Sequence, residues 1–335
     1  MSLPTTHLGR TGLRVSRLCL GTMTFGLQTD EAGSFAILDK AIEGGINFVD
    51  TADVYPLGGG LDAVGRTEAI IGDWMSRRPG ARARIVLATK AVGKMGPAPW
   101  DEGASRKHLL DAIDASLKRL KTDYVDLYQL HHDDRTTPLD ESMEALATIV
   151  RSGRARYIGL SNFQAWRVAK ALGRADLLSL PRVVSLQPRY NLLFRQIERE
   201  LLPLAEEEGL AVIPYNPLAG GLLTGKHGGG AAPPAGRFEG LGKASGMYRE
   251  RYWHEREFAT IDALKADAAK ANKPLTQLAI AWVLANPAIT SAIVGASRAA
   301  QLDDALAAGT LALDGETKGR LDAMTAEYRM GDALR

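Results

Sequence analysis

Short apolar segments and amphipathic helical segments alternate along this chain from end to end, and that alternation limits the possible folds more than any other feature. Eight runs read as strands: Arg17–Gly21, Asn47–Asp50, Ile85–Thr89, Tyr124–His131, Tyr157–Ser161, Val183–Gln187, Ala211–Tyr215 and Ser291–Gly295. They are near-continuously apolar, as strands covered on both faces should be. Between them, apolar residues recur at helical spacing: Leu109, Ile113, Leu117 and Leu120; Ile70, Ile71, Trp74 and Met75; Ile197, Leu201, Leu204 and Ala205, ending at Gly209; and Leu278, Ala279, Trp282 and Val283 after Pro274.

Strand and helix in strict alternation imply a parallel sheet. Eight such units in roughly 300 residues favour closure into a (β/α)₈ TIM barrel. An open doubly wound sheet is the alternative, but no G-x-G-x-x-G follows the first strand. The segment before that strand carries Gly9-Arg10-Thr11-Gly12 and reads as a β-hairpin. Gly225 to Arg256 is a long insertion after the seventh strand, first rich in Gly and Pro, then aromatic and basic. It reads equally as a surface loop or as a lid or clamp over the C-terminal rim.

With 335 residues, 45% hydrophobic and 24% charged, the chain can bury a large core without staples. A formal net charge of +2 argues against a nucleic-acid partner or an anionic membrane surface. Cys19 is the only cysteine, so no internal disulfide can form, which fits a reducing compartment. Met1 to Arg10 lacks the apolar stretch of a signal peptide, and the apolar run Leu278 to Ala285 is far short of the ~20 residues of a membrane span. The expectation is a soluble cytoplasmic protein.

Polar residues gather where the strands end. Asp50 ends the second strand with Tyr55 five residues on, Lys90 ends the third and His131 the fourth. Ser161-Asn162, Gln187, Tyr215-Asn216 and Gly295-Ala296-Ser297 end the last four. A closed barrel brings these ends to one face. An Asp, a Tyr, a Lys and a His together can donate a proton: a phenol of pKa near 10 is made more acidic by an adjacent ammonium, which a carboxylate holds in place. The imidazole can hydrogen-bond an oxygen that gains charge. Taken singly, each has a duller role as a turn, cap or solvated residue. His131 and His132 project to opposite faces of a strand, so they are not expected to share a metal ion, and no metal site is expected.

The runs Gly45-Ile46-Asn47-Phe48-Val49-Asp50-Thr51-Ala52-Asp53-Val54-Tyr55, Thr89-Lys90, Asp126-Leu127-Tyr128-Gln129-Leu130-His131 and Ile158-Gly159-Leu160-Ser161-Asn162-Phe163 resemble the aldo-keto reductase superfamily, in order and at strand ends. Pro217 to Lys226 and Ile293 to Ser297 resemble the branch containing bacterial reductases and the potassium-channel beta subunits. The resemblance implies one barrel domain over residues 1–335 that reduces a small aldehyde or ketone to an alcohol by hydride transfer from NADPH, with NADH also possible. Tyr55 would be the general acid, tuned by Lys90 and Asp50, with His131 placing the carbonyl. For the cofactor it implies Gly21, Thr22, Met23 and Asp50 beside the nicotinamide and its ribose. Ser161, Asn162 and Gln187 would bind the carboxamide, and Tyr215 would stack on the ring. Asn216, Pro217, Leu218, Ala219, Gly220, Gly221 and Lys226 would follow the pyrophosphate. Arg237 would lie near the adenosine end, with Gly295, Ser297, Arg298 and Gln301 around the 2′-phosphate.

Two departures matter. Many relatives carry Lys-Ser where this chain has Ala296-Ser297, leaving Arg298 to supply the cation. The Pro56-Leu57-Gly58-Gly59-Gly60 loop is longer than in many relatives and should shape the substrate pocket. The alternative reading is a cofactor-sensing regulatory subunit with little turnover. The channel subunits carry Asn at the position of His131, so His131 favours catalysis.

Overall fold

The computed structural model describes residues 3–227 and 236–330. Residues 228–235 of the insertion, with Gly228–Gly230 and Pro233-Pro234, lie outside the described residues. An antiparallel hairpin, β1 (Thr5–His7) and β2 (Arg14–Ser16), opens the chain. Eight parallel strands follow: β3 (Leu18–Gly21), β4 (Phe48–Asp50), β5 (Val86–Ala91), β6 (Val125–Leu130), β7 (Ala155–Ser161), β8 (Val183–Gln187), β9 (Ala211–Val212) and β10 (Ala292–Gly295). Their spatial order is β10-β3-β4-β5-β6-β7-β8-β9. Backbone bonds from Thr290 N–H to the Val212 carbonyl (2.8 Å) and from Ile293 N–H to the Pro214 carbonyl (2.9 Å) join the last two strands and close the barrel. β9 is shorter than its apolar run because Pro214 has no N–H to give to a ladder.

The expected helices form outside the sheet, at Glu31–Glu43, Arg66–Ser76, Arg106–Leu120, Leu139–Arg151, Ala165–Leu177, Leu201–Glu208 and Leu275–Leu284 among others. Gly209 caps the helix Leu201–Glu208 in the left-handed conformation (φ 64°), where only glycine avoids a Cβ penalty. Between the sheet and this ring lies the larger core, with Ile71, Trp74, Leu87, Tyr128 and Trp282 among its buried members.

A second core fills the barrel itself. Cys19, Phe48, Val86, Ala88, Leu127, Ala211, Ile213 and Ile293 pack inside it, and Leu8 and Val15 of the hairpin plug its lower end. Arg10 N–H donates to the Gly209 carbonyl (2.9 Å), fastening the hairpin there. Side chains alternate between faces along a strand. With Phe48, Ala88 and Leu127 turned inward, Asp50, Lys90 and Gln129 must point inward one layer higher.

The insertion is not wholly a surface loop. Its described part contains a helix, Lys243–Tyr252, and Phe238, Leu241, Tyr248 and Tyr252 are buried. The Leu241 carbonyl approaches so closely that a Cβ at Gly58 would lie 2.4 Å from it, so the insertion packs on the loop following Tyr55.

Candidate active site

The inward layer at the top of the barrel is polar and nearly dry. The Lys90 and Asp50 side chains are 0% and 5% exposed, and Lys90 Nζ donates to Asp50 Oδ2 at 2.6 Å. Nζ also donates to the Thr51 carbonyl at 2.7 Å. The other Asp50 oxygen, Oδ1, accepts from Gln187 Nε2 (2.9 Å) and Gln129 Nε2 (3.1 Å). A buried ion pair survives the cost of leaving water only when its remaining lone pairs and protons are satisfied. Here two amides and a carbonyl supply that. Burial pulls the Lys90 ammonium down, but Asp50 and then Tyr55 push it up further, and the net direction is up. Lys90 stays charged.

Tyr55 stands over this pair. Lys90 Nζ is 5.0 Å from its ring centroid, and the His131 ring meets it edge-on at 5.6 Å between centroids. Burial pushes the Tyr55 phenol above its ordinary value; Lys90 pulls it back and Asp50 pushes it up again. The expected downward pull of Lys90 is therefore present but outweighed. Tyr55 rests as the protonated phenol, and the ammonium can stabilise the phenolate once a proton has left. Burial, then the Lys90 charge, holds the His131 imidazole well below 6.5. It is neutral and can donate one N–H.

From this cluster a series of hydrogen-bonded segments continues across the barrel mouth. Thr22 Oγ1 donates to the Asp50 carbonyl (2.9 Å), and Leu57 N–H donates to the Met23 carbonyl (3.3 Å), which fixes Gly21, Thr22 and Met23 beside the tyrosine loop. Ser161 Oγ donates to the Gln187 carbonyl (2.9 Å), and Asn162 Nδ2 to the His131 carbonyl (2.9 Å). Tyr215 OH donates to Asn162 Oδ1 (2.7 Å). Asn216, Pro217, Leu218, Ala219, Gly220 and Gly221 then turn along the rim. Arg237 joins two of these segments: its Nη1 donates to Asn216 Oδ1 (3.1 Å), and a Cβ at Gly295 would lie 3.1 Å from its Nη2. At the far end Gln301 Oε1 accepts from Ser297 N–H (2.8 Å), Ser297 Oγ (3.2 Å) and Arg298 N–H (3.3 Å). Lys226 is exposed beyond the rim turn.

Two features of this rim leave room for a polar ligand. Asn216 Nδ2 is buried with no hydrogen-bond partner, so a polar ligand passing Asn216 would satisfy it. A Cβ at Gly221 would meet nothing within 4 Å, so the backbone there is open to close approach.

Several site residues escape the reading of strand ends. Gln129 lies inside a strand run, though it precedes His131 by two and so shares its face. Thr51 contributes only a carbonyl. An open cavity of about 500 Å³ lies between the loops after β5 and β6, lined by Lys94, Trp100, Ser105, His132 and Thr136 among others. It adjoins the strands that carry Lys90 and His131.

Removing one member of a buried ion pair strands the other. Lys90→Met should lower stability by about 3–5 kcal/mol, measured by urea unfolding without cofactor. A loss below about 1 kcal/mol, the scale of a surface pair, would contradict the dry, coupled pair described above.

Comparison with known proteins agrees with this geometry. The aldo/keto reductase family profile matches residues 17–326. The chain is 42% identical to an uncharacterized oxidoreductase, YrpG, of Bacillus subtilis, over 93% of this chain and 92% of that one. It is 38% identical to a probable voltage-gated potassium channel subunit beta of Arabidopsis thaliana, over 89% of this chain and 88% of that one. It is 34% identical to the L-glyceraldehyde 3-phosphate reductase of Escherichia coli, over 89% and 85%. A closed eight-stranded barrel, a polar cluster at its C-terminal mouth and a match over nearly the whole length lead to one conclusion: the chain belongs to the aldo/keto reductase family and is an NAD(P)H-dependent oxidoreductase.

Proposed function

We propose that this enzyme reduces small aldehydes or ketones to alcohols, with NADPH preferred over NADH and Tyr55 as the proton donor. The observation that carries the proposal is the buried Lys90–Asp50 pair beneath Tyr55, with the His131 ring at its edge. The nicotinamide, when bound, supplies the hydride for the carbonyl carbon. It would be held by Gly21–Met23, Asp50, Ser161, Asn162, Gln187 and Tyr215, and its phosphates by Asn216–Gly221, Lys226, Arg237 and the Gly295–Gln301 segment.

The side chains do the rest. His131 donates its N–H to the carbonyl oxygen and fixes its position. Negative charge growing on that oxygen draws the Tyr55 proton, and Lys90 stabilises the phenolate left behind. Asp50 keeps Lys90 in place, and Gln129 and Gln187 keep Asp50 in place. The part of the substrate beyond the carbonyl would extend towards the Pro56–Gly60 loop. The single cysteine, Cys19, buried in the barrel, fits a cytoplasmic setting.

A second reading is a cofactor-sensing subunit with little turnover. The 38% identity to a potassium channel subunit beta favours it, while His131 favours catalysis.

Tyr55→Phe keeps the ring and removes the proton. It should lower kcat by roughly 10²–10⁴ with cofactor affinity little changed; near-normal turnover would contradict the assignment. His131→Asn should lower turnover and leave NADPH binding intact. Titration showing lost cofactor binding would move His131 to the nucleotide site. Arg298→Ala should weaken NADPH about tenfold, the worth of one charge-assisted bond at a partly exposed position, and barely affect NADH. Dissociation constants for both cofactors at one salt concentration test this. Equal weakening of both would remove Arg298 from the 2′-phosphate, and no weakening of either would shift that role to Arg237 or Lys226.

A further inference from the structure

Behind the tyrosine loop lies a second group of buried charges that the proton-transfer scheme does not use. Asp53 is 0% exposed; no side chain donates to its carboxyl oxygens, and the Val54 N–H lies beside them without completing a hydrogen bond. Glu68, also fully buried, has both oxygens engaged: Oε1 accepts from Thr89 Oγ1 (2.5 Å), and Oε2 pairs with Arg119 Nε (2.7 Å). Four elements face Asp53 with ionisable groups. They are Glu68 on the helix Arg66–Ser76, Arg119 on the helix Arg106–Leu120, Lys90 on β5 and Tyr128 on β6. Asp50 balances Lys90 and Glu68 balances Arg119. Three acids thus share an interior with two cations, and Asp53 is the acid left over.

A carboxylate that no side chain pairs in a dry interior, beside a second carboxylate, takes up a proton rather than remain charged. We propose that Asp53 is a neutral carboxylic acid in the folded protein, that it positions the Asp50–Pro56 loop, and that its ionisation withdraws Tyr55 from catalysis. The backbone shows how. Asp53 N–H donates to the Lys90 carbonyl (3.0 Å), and Gly65 N–H donates to the Asp53 carbonyl (2.7 Å). Residue 53 therefore ties the tyrosine loop both to the strand that carries Lys90 and to the start of the helix that carries Glu68. While neutral, its side chain can stay buried and the tie holds. Once charged, it repels Glu68, competes with Asp50 for Lys90 and gains by turning towards water. Each of these loosens Tyr55 from the ammonium that supports its phenolate.

Burial first, then the Glu68 charge, pushes the Asp53 carboxyl well above its ordinary value. For an acid raised in this way, the stability it contributes is full below its unfolded pKa and is lost as pH rises through the folded one. The switch therefore opens on the alkaline side.

The kcat arm of the test rests on the reductase reading, whereas the infrared arm does not. Wild type, Asp53→Asn and Asp53→Ala are compared over pH at saturating NADPH and aldehyde. Asn mimics the neutral acid, so Asp53→Asn should retain kcat within about threefold. Asp53→Ala should lose on the order of ten- to a hundredfold, as a misplaced catalytic group does. KM should change little in either. Wild type should show an alkaline fall in kcat that Asp53→Asn lacks. Infrared difference spectra of wild type minus Asp53→Asn should show a carboxylic-acid C=O band at neutral pH. That band should fade over the pH range in which kcat falls. If Asp53→Asn does not fold, Asp53→Ser takes its place in both arms. Absence of the acid band at neutral pH would overturn the proposal even in a chain without turnover. An Asn variant as impaired as the Ala variant would overturn the positioning role.

Discussion

The 2.6 Å contact between Lys90 and Asp50 is the interaction on which the rest of the site depends. It places a full positive charge in a space closed to water, where its field acts at close to full strength. Such a charge persists only if the surroundings hold it, and the barrel does so from separate strands: Asp50 from β4, Gln129 from β6 and Gln187 from β8. A cation alone there would be too costly, and a pair alone would have unsatisfied lone pairs. The cluster is therefore cooperative, and it links barrel integrity to chemistry. Tyr55, on a loop rather than a strand, is held above this charge.

The fold provides that geometry cheaply. Inward side chains of a parallel barrel lie in layers, apolar ones such as Phe48, Ala88 and Leu127 below and polar ones above. The apolar layer excludes water from beneath the pair. The hairpin residues Leu8 and Val15 seal the lower end.

The four residues at the centre were legible in the sequence because each stands at or just after a strand end, where barrel closure decides its direction. Gln129 was masked by the apolar run around it, although parity with His131 identifies its face. The set formed by Asp53, Glu68 and Arg119 had no local signal. Its members come from a loop and two helices and meet only through tertiary packing. The insertion reads equally as surface loop or lid, and its composition does not decide between them. In its described part Tyr248 and Tyr252, four residues apart, find buried partners and draw the Lys243–Tyr252 segment into a helix. After β10, nothing local in the sequence signals that Gln301 Oε1 accepts the backbone N–H groups of Ser297 and Arg298. An anion arriving there must displace that carbonyl, which tempers whatever Arg298 contributes.

The central claim is that this cluster transfers a proton in step with hydride delivery. It is tested most directly by mixing the purified protein with NADPH and a panel of small aldehydes and following cofactor absorbance together with alcohol formed. The account predicts that NADPH is consumed in one-to-one proportion with alcohol for at least one aldehyde. Tight cofactor binding with no consumption across the panel would contradict it and leave the regulatory reading in its place.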